Sequence, residues 1–510
     1  MDQTQQKKKG MFFMAEYKPL TFAWEITMGC NMRCKHCGSS CEDRLHGELS
    51  PQEAMTVCDK LKELGVKRIT LTGGEPTIRE DWHLIVRKLK ENGIYPNVIS
   101  NGWLVNEELA DKAVAAGLLD FAMSLDGMKD THDFIRREGS FERILKAVAI
   151  LRQKDIKVAI ITAINNQNIK ELPEMRRLLK EIGVTYWQLQ FAMPMGTFHS
   201  NQDELMITPN QIDDIIDFAY DCMNDDDLIT YLGDCIGYYN VKETAIRAQA
   251  VGGEPHAIWS GCPAGKHAMG ILHNGDVVGC TSIRGREFIE GNIITDNIHD
   301  IWDQGFSWNR DLKKSDLSGF CGECMYGNMC LGGCANSRYC SGSSIKSENL
   351  FCSYRNFVFA EVEKAPALDA EPETIQDYIT KLLASGSYDV LVNYILKLLK
   401  ASKGSNAPSD IDLLNYLHFS YFKMGDYQKS LNICREVLAQ DKDNTYGIHG
   451  IILNLIMTNQ LEEAGTYLLR LKDLAKDTYE TTVADINKLL TRDDQFEILQ
   501  SLGIPIKQAS

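Results

Sequence analysis

Thr21-Phe-Ala-Trp-Glu-Ile26 is a strand-like apolar run, and it leads directly into Gly29-Cys-Asn-Met-Arg-Cys-Lys-His-Cys37. The stretch therefore places a cysteine loop at the end of the first predicted strand. Thiolates separated by three and then two residues on one tight loop reach three corners of an iron–sulfur cube. The remaining iron then has no protein ligand. Such a site favours chemistry at the metal over electron storage alone.

Two other interpretations of these cysteines stay open on spacing alone. A zinc site usually takes two pairs of ligands or a Cys/His quartet. His36 lies within the run, where its neighbours hinder it from reaching the same ion, while Cys41 can supply a fourth thiolate. A disulfide is the other alternative. The rest of the chain favours the cluster.

The composition restricts the partners and the compartment. A length of 510 residues predicts about three domains, and 44% hydrophobic residues sustain packed cores. A net charge of −16 argues against a nucleic-acid-binding face. The Lys7–Lys9 run is interpreted as a solvated tail, and Met11–Ala15 is too short for a signal peptide or membrane span. Sixteen cysteines indicate metal ligation in a reducing compartment, so we expect a cytoplasmic protein with no nucleic-acid or membrane partner.

The N-terminal part of the chain alternates short β-rich runs with amphipathic helical stretches, which predicts an α/β fold with parallel strands. Six β/α units make a partial (β/α)6 barrel, with the cysteine loop at the carboxyl edge of the sheet. Ser50 and Glu53 form a predicted capping box, and Asn168 with Glu171 predicts a similar helix start. The predicted strands are Thr21–Ile26, Arg68–Leu71, Tyr95–Ser100, Leu119–Leu125, Lys157–Ile164 and Thr185–Phe191.

Changes in composition divide the chain further. Gly252-Gly253-Glu-Pro255 breaks the chain before a cysteine-rich region. In that region Asn274-Gly275 between apolar runs predicts a hairpin, and we expect the remainder to be loop-like and stabilised by bound metal. The predicted divisions are an N-terminal tail at 1–20, the barrel at 21–200, connecting helices at 201–260, a small cluster-binding domain at 261–356 and an all-α repeat region at 371–510.

The repeat region is predicted from two similar segments. Gly425-Asp-Tyr427 and Asn459-Gln-Leu461 stand 34 residues apart, the period of tetratricopeptide helix pairs, and a weaker copy begins at Gly386. The pattern resembles a short tetratricopeptide array, which usually presents a peptide-binding groove. A helical bundle that caps the enzyme or forms a dimer explains the pattern equally well.

Two further motifs carry chemistry. Gly73-Gly74-Glu75-Pro76 ends the second strand, and glycines let the backbone approach a ligand closely. A second cysteine set runs over ninety residues. It reads Cys262, twelve residues, Gly275, four residues, Cys280, then Cys321-x2-Cys324-x5-Cys330-x3-Cys334 and finally Cys352.

The first cysteine run together with the Gly-Gly motif resembles the radical S-adenosylmethionine (SAM) superfamily. The resemblance implies that Cys30, Cys34 and Cys37 hold a [4Fe–4S] cluster whose open iron binds SAM. Reductive cleavage of SAM then gives a 5′-deoxyadenosyl radical that abstracts hydrogen from the substrate. The implied SAM-binding residues are Gly73, Gly74, Glu75 and Ser124, with Arg136 either at the SAM carboxylate or on a helix surface and residues 190–195 beside the adenine.

The second cysteine set resembles the SPASM domain of peptide- and protein-modifying enzymes, which holds auxiliary iron–sulfur clusters. A zinc ribbon at Cys321-Gly-Glu-Cys324 is the alternative. The resemblance implies two auxiliary [4Fe–4S] clusters, one ligated by Cys321, Cys324, Cys330 and Cys352, the other by Cys262, Cys280 and Cys334. For the missing ligand of the latter, Cys340, Cys235 or His267 completes the site, or an iron stays open.

The resulting expectation is a radical SAM/SPASM oxidoreductase that matures a ribosomally made peptide by cross-linking or oxidation. An external low-potential electron donor such as flavodoxin or ferredoxin would serve it. Formylglycine formation of the sulfatase-maturase type is an alternative, although Thr281 stands where those enzymes have a catalytic aspartate. A non-catalytic iron–sulfur redox scaffold, which would not cleave SAM, is another.

Only about twenty residues precede the first predicted strand. We therefore expect the helical repeats to replace an N-terminal leader-recognition domain.

The sequence assigns no residue as a catalytic base, although Glu25, Asp126 and His46 are polar residues near the expected mouth of the barrel. The cysteines expected to be ordinary buried thiols are Cys41, Cys58, Cys222 and Cys434.

Overall fold

The computed structural model describes residues 17–223, 225, 227–250, 258–367, 370–401, 409–490, 492–501 and 503–506. Most of the predicted tail, including Lys7–Lys9 and Met11–Ala15, lies outside the described residues. So does the predicted chain break at Gly252 to Pro255. The chain divides into two compact units, one of Met1–Gly322 with Tyr326–Tyr354 and one of Glu323–Met325 with Arg355–Ser510.

The first unit is organised around one continuous sheet of mainly parallel strands. In order across the sheet the strands run β10-β9-β8-β1-β2-β3-β4-β5-β6-β7. Strands β1 to β7 are parallel, β8 pairs in parallel with the other side of β1, and β9 and β10 are antiparallel. The strands are β1 Thr21–Thr27, β2 Arg68–Gly73, β3 Tyr95–Ser100, β4 Asp120–Ser124, β5 Lys157–Ile164, β6 Tyr186–Phe191, β7 Ile229–Leu232, β8 Ala268–Ile271, β9 Asp276–Val278 and β10 Ile289–Asn292.

The partial barrel predicted from the β/α alternation is confirmed, and the six predicted strands correspond to β1 to β6. The segment predicted to be only connecting helices contains a further strand, β7, which extends the sheet by pairing Tyr186 with Ile229. That prediction was wrong because a four-residue run has too little periodicity of its own. Pairing with β6 supplies its backbone hydrogen bonds.

Helices of the first unit alternate with the barrel strands along the chain and continue after them. Ser50 caps α1 and forms the predicted capping box with Glu53. The helices of the first unit are α1 Pro51–Leu64, α2 Trp82–Glu91, α3 Glu107–Ala115, α4 Lys129–Ile135, α5 Ser140–Gln153, α6 Leu172–Glu181, α7 Gln202–Leu205, α8 Gln211–Asp221, α9 Val241–Ala250, α10 Ile298–Gln304, α11 Ser307–Arg310, α12 Gly319–Glu323, α13 Gly327–Cys330, α14 Ala335–Gly342 and α15 Ser353–Glu363. Of these, α12 and α15 run into the second unit.

The predicted helix start at Asn168 was wrong. A short 3₁₀ turn, Ile169–Glu171, precedes α6, and no side-chain cap forms at Asn168 in this described segment. The Asn168 amide instead accepts a hydrogen bond from Asn165 N at 2.8 Å and donates one to the Asp126 carbonyl at 3.1 Å. Its side chain therefore serves the β4 and β5 ends rather than the helix.

The cysteine-rich region contains the predicted hairpin, because β8 and β9 pair antiparallel on either side of Asn274 and Gly275. The expectation that the remainder is loop-like was wrong. Short helices α10 to α14 occupy much of it. These short helices contain few residues of high helix propensity, so their conformation depends on tertiary packing rather than on local propensity.

The second unit is built from helices over the residues that the structure describes. Its apolar core includes Leu431, Ile448 and Leu468. Helices adjacent in sequence pack against each other, which is consistent with the predicted tetratricopeptide-like region. They are α16 Pro372–Ser385, α17 Tyr388–Ala401, α18 Asp410–Lys423, α19 Tyr427–Gln440, α20 Thr445–Met457, α21 Leu461–Leu474, α22 Lys476–Leu489 and α23 Asp493–Ser501.

The predicted 34-residue period coincides with helix starts at Tyr427 and Leu461. Each start follows a residue in the left-handed region, Gly425 with φ 77° and Asn459 with φ 60°. Among the described helices, none is long and apolar enough to cross a membrane.

Candidate functional site

The loop after β1 brings Cys30, Cys34 and Cys37 to one wall of a cavity of about 750 Å³. The backbone fixes this loop, because Cys30 N donates to Glu42 O at 2.7 Å and Cys37 N donates to Cys34 O at 3.2 Å. At the base of the loop, the Glu48 carboxylate accepts hydrogen bonds from Thr27 Oγ1 and from Met28 N, the latter at 2.7 Å. Three thiols are thus held on one short, internally bonded segment.

The Gly-Gly motif at the end of β2 packs directly on this loop. Gly74 N donates to Thr27 O at 2.9 Å and Glu75 N donates to Gly29 O at 2.8 Å. A Cβ atom on Gly73, whose φ is 140°, would lie 2.0 Å from Thr27 O, and one on Gly74 would lie 2.1 Å from Gly29 O. Both glycines are therefore required by packing, and both also line the cavity.

Glu75 differs from the other predicted SAM-binding residues. Among the described residues, Gly73, Gly74, Ser124 and Arg136 line the cavity, whereas Glu75 does not. Burial raises the pKa of Glu75, and hydrogen bonds with its neighbours oppose that effect. Its carboxylate accepts from Ser100 Oγ at 2.8 Å and from Asn101 N at 2.7 Å. Glu75 therefore supports the cavity wall at the end of β3.

The Arg136 guanidinium contacts both a carboxylate and a thiol. Its Nε donates to Asp126 Oδ2 at 2.5 Å, and its Nη1 lies 4.0 Å from Cys34 Sγ. Asp126 also contacts His36 Nε2 at 2.7 Å and accepts from Ala163 N at 2.8 Å. Although burial opposes it, Arg136 and His36 hold the pKa of Asp126 well below its usual range.

The Asp126 carboxylate consequently ties the cysteine loop, through His36, to the ends of β4 and β5. A buried carboxylate is tolerated there because cations and a backbone amide surround it. Sequence reasoning noted Asp126 and left its role open. His36 was considered only as a zinc ligand, although its i+2 position from Cys34 could have indicated an inward-facing partner.

The thiols of the loop differ in basicity. A hydrogen bond from Cys41 lowers the pKa of Cys37 to about 5, while burial raises the pKa of Cys34 to about 11. Cys41 is buried and lines the same cavity, so it is not an ordinary core thiol as predicted. Cys58, Cys222 and Cys434 are buried as predicted.

The donor set suits a cluster better than a single ion. Within the described part of the chain, no three Cys, His, Asp or Glu side chains converge closely enough to hold one metal ion. Thiolates that each bind a different iron of a cube stand farther apart than ligands of one ion. Three thiols around an open cavity therefore fit an iron–sulfur cube with one accessible iron.

Cysteines of the second set face the same cavity from other elements. Cys280 and Cys334 line it together with Cys235. Cys262 packs with Cys280 in a small apolar cluster. Burial raises the pKa of Cys334 well above its usual value, and the nearby thiols of Cys262, Cys235 and Cys280 raise it further. The three cysteines predicted for the first auxiliary cluster are thus brought together.

The other predicted cluster ligands gather separately. Cys330 and Cys352 pack together with Tyr238 and Trp259. Burial raises the pKa of Cys330 well above its usual value, and the nearby thiols of Cys352 and Cys321 raise it further. Cys324 belongs to the second compact unit. The ligand roles of all seven cysteines in the second set stay predictions.

The remaining walls of the cavity combine apolar and polar side chains. Gln188 and Gln190 extend from β6, Tyr231 from β7, and Asn336 from α14. Several residues between 190 and 195, predicted to lie beside an adenine, also line it. Amide side chains of this kind can bind the backbone of an extended substrate by donating and accepting hydrogen bonds.

Comparison with known families matches both halves of this site. Residues 24–179 match the radical SAM superfamily, and residues 262–325 match SPASM, an iron–sulfur cluster-binding domain. The chain carries a radical SAM domain and a SPASM domain. A radical SAM domain implies a [4Fe–4S] cluster and SAM, and a SPASM domain implies auxiliary iron–sulfur clusters.

Named relatives of this radical SAM/SPASM chain have different activities. It is 29% identical over 346 residues to the AdoMet-dependent heme synthase of Methanosarcina barkeri, which covers 66% of this chain and 97% of that protein. It is 27% identical over 358 residues to mycofactocin maturase MftC of Mycolicibacterium smegmatis, covering 69% of this chain and 86% of that protein.

Solved structures of other proteins share this fold. Streptococcus suis SuiB bound to its precursor peptide SuiA superposes with a TM-score of 0.54 at 17% identity, covering 65% of this chain and 75% of SuiB. Native anSMEcpe with bound AdoMet gives a TM-score of 0.53 at 17% identity, covering 68% of this chain and 98% of that one. At this identity the likeness concerns the fold alone.

Proposed function

We propose that this radical SAM/SPASM chain is an enzyme that abstracts hydrogen from a peptide and thereby matures a ribosomally made peptide by cross-linking or oxidation. The observation that carries the proposal is the single cavity lined both by the loop thiols Cys30, Cys34 and Cys37 and by Cys280 and Cys334. A radical source and an electron acceptor would then face one substrate. A scaffold without catalysis would gain nothing from that arrangement.

We assign residues to each cofactor from their positions around the cavity. Cys30, Cys34 and Cys37 would hold the SAM-binding cluster, which supplies reductive cleavage of SAM to methionine and a 5′-deoxyadenosyl radical. Gly73 and Gly74 leave the backbone open to the ligand, and Ser124 can donate a hydrogen bond to it. Arg136 keeps Nη1 beside Cys34 and can pair with a carboxylate.

Electron balance supports a place for the auxiliary clusters. One electron enters from an external donor, and one hydrogen atom leaves the substrate and ends in 5′-deoxyadenosine. The substrate radical must then lose a second electron and a proton to give an oxidised product. Cys262, Cys280 and Cys334 would hold the cluster that takes this electron.

Amide side chains on the cavity wall support a peptide substrate. Gln188, Gln190 and Asn336 line it, and each amide can bind a peptide backbone. A maturase is among the named relatives of this chain. The tetratricopeptide-like helices would bind the leader portion of the same peptide.

We also propose an electron donor and a cellular compartment for the enzyme. A low-potential carrier such as flavodoxin or ferredoxin would reduce the SAM-binding cluster. Sixteen cysteines, many of them assigned to clusters, favour a reducing compartment, and we place the enzyme in the cytoplasm.

The test is mass spectrometry of short peptides encoded beside this gene, after anaerobic coexpression with the chain or with its Cys34→Ala variant. Peptide maturation predicts loss of pairs of hydrogens only with the intact chain. An unmodified peptide, with SAM cleavage still present, would refute the peptide substrate and keep the radical enzyme.

Haem synthesis is a second candidate, because the heme synthase of Methanosarcina barkeri is matched over 97% of its length. If the purified protein formed haem from an iron porphyrin precursor, that result would refute the peptide proposal and support haem synthesis. Formylglycine formation is the weaker alternative, since Thr281 follows Cys280 and threonine cannot act as the carboxylate base of those enzymes.

A further inference from the structure

Cys235 lies on the loop that follows β7, at residues 233–240. It has no motif spacing to other cysteines, yet it lines the same cavity as Cys280 and Cys334. The Cys235 thiol also lies beside the Phe191 backbone. A backbone group near sulfur is typical of protein-bound clusters, whose potentials depend on hydrogen bonds to sulfur.

The loop is bonded directly to a predicted cluster ligand. Tyr238 is fully buried, and its hydroxyl donates to Asp234 O at 2.8 Å. The same hydroxyl accepts a hydrogen bond from Cys334 N at 2.9 Å. One phenol oxygen therefore joins the backbone before Cys235 to the backbone of Cys334.

A glycine makes this approach possible. Gly333 has φ 73°, and a Cβ atom there would lie 2.5 Å from Tyr238 Cζ. The chain thus combines a buried tyrosine on one element with a glycine next to Cys334 on the other. A side chain at 333 would push the two cysteine-bearing segments apart.

The loop conformation itself is unusual. Tyr238 and Tyr239 have φ values of 81° and 58°, a region that residues with a Cβ rarely adopt. Surrounding contacts hold it, including Arg247 Nη2 to Ile236 O at 2.6 Å and the Tyr239 hydroxyl to Trp259 O at 2.7 Å. Such strain persists where the surroundings fix a functional geometry.

The two competing ligands are placed less well. Within the described residues, neither Cys340 nor His267 lines the cavity with Cys280 and Cys334. Cys340 Sγ lies 3.7 Å from Asn336 Oδ1 on its own helix. His267 lines a separate cavity together with Cys262, and its carbonyl accepts from Leu20 N and Thr21 N. Cys262 nevertheless packs with Cys280 in one apolar cluster, whose described members include neither His267 nor Cys340.

We propose that Cys235 is the fourth thiolate of the first auxiliary cluster, completing the set with Cys262, Cys280 and Cys334. The inference rests on the proposed function, which places a cluster at these three cysteines. Iron–sulfur clusters are held by thiolates, so cysteine is a better ligand here than imidazole or the neighbouring Asp234 carboxylate. With all four ligands supplied by these cysteines, the cluster they hold would serve as an electron acceptor and would leave no iron open to the substrate.

The experiment uses the full chain with Cys30→Ala, Cys34→Ala and Cys37→Ala, so that only auxiliary clusters bind. Iron, sulfide and the EPR spectrum of the reduced protein are measured after anaerobic reconstitution. Adding Cys235→Ala should change the EPR spectrum and lower iron by up to about half, because one of two auxiliary clusters loses a ligand. The matched control, Cys340→Ala, should leave iron and spectrum unchanged.

Small-thiol rescue tests whether ligation itself is lost. Cys235→Gly leaves space for methanethiol, which should restore the parent EPR spectrum, whereas methanol should not. A folding defect alone would not respond to the thiol. Equal iron and an unchanged spectrum in Cys235→Ala would overturn the inference, as would loss of one cluster only in His267→Ala. If the parent background binds no auxiliary clusters, the proposed function fails instead.

Discussion

The thiols in and around the cavity are distributed along the sequence in two ways. Cys30, Cys34 and Cys37 lie within eight consecutive residues, on a loop whose own backbone bonds hold them together. Those near Cys334 come from separate elements, with Cys235 and Cys262 far from it in the chain. A local set depends on one turn, whereas a dispersed set depends on the packing of several elements.

Because one set is local and the other dispersed, different residues hold each set in place. The local loop is held by Asp126 through His36 and by Glu48 at its base. The dispersed set is held by Tyr238 and by a glycine next to Cys334. Substitutions can therefore remove one set and leave the other.

The largest expected effect is that of Cys34→Ala on the local set. SAM cleavage should fall to the background of cluster-free protein, because one corner of the cube loses its ligand. Iron content should drop by about a third if three clusters bind. Iron analysis and 5′-deoxyadenosine release check this, and persistent cleavage would contradict the assignment.

Gly333→Ala should affect the dispersed set and leave SAM cleavage intact. The new Cβ atom, 2.5 Å from Tyr238 Cζ, would displace the tyrosine or the Cys334 backbone at a cost of about 1–3 kcal/mol. Loss of auxiliary iron with retained 5′-deoxyadenosine release is the expected outcome.

The matched control for that variant is Gly425→Ala. Gly425 has a similar φ of 77°, and no described atom lies within 4 Å of its added Cβ. It should cost about 1 kcal/mol from backbone strain and leave iron unchanged. Equal iron loss in both variants would mean that strain, and not contact with Tyr238, is responsible.

Thiol chemistry in metal-free protein should sharpen the contrast with an ordinary core cysteine. At pH 7 Cys37, with a pKa of about 5, is a thiolate, whereas burial raises the pKa of Cys434 to about 12 and keeps it protonated. Iodoacetamide should label Cys37 at least about tenfold faster. Labelling at Cys37 should slow as pH falls through 5.

Peptide mapping by mass spectrometry measures both rates. Cys41→Ala removes the hydrogen bond that lowers the pKa of Cys37, so Cys37 should then label more slowly at pH 7. No change on that substitution would show that Cys37 owes its reactivity to exposure alone.

The smallest expected effect is that of Cys434→Ala. Cys434 is fully buried in the apolar core of the second unit with Leu431 and Ile448. Loss of one sulfur should lower the free energy of unfolding by about 1 kcal/mol and leave iron content unchanged. Denaturant unfolding with iron analysis checks it, and any iron loss would place Cys434 among the ligands.

Strands and motifs that are local in sequence could be predicted. The six barrel strands, the Ser50 cap and the Asn274-Gly275 hairpin each depend on a few consecutive residues. Strand β7 could not be predicted, because its four residues become a strand only by pairing with β6. Asn168 was misinterpreted because its amide satisfies distant backbone groups instead of its own helix.

The same distinction applies to the site. The cysteine loop, Gly73 and Gly74 carry spacing that sequence alone reveals. The contact of Arg136 with both Asp126 and Cys34 depends on the folding of α4 against the cysteine loop. Cys235 could be named only as one of three possible ligands, since the Tyr238 bridge that favours it is a tertiary hydrogen bond.

The parallel pairing of β8 with β1 has a consequence for synthesis on the ribosome. Until the chain has grown past Ile271, β1 has an unpaired edge next to the loop that carries Cys30. At ordinary elongation rates this interval lasts roughly 10–50 seconds. Unpaired edges attract other chains, so iron delivery during translation would have to compete with aggregation, and slow codons before residue 268 would lengthen the vulnerable period.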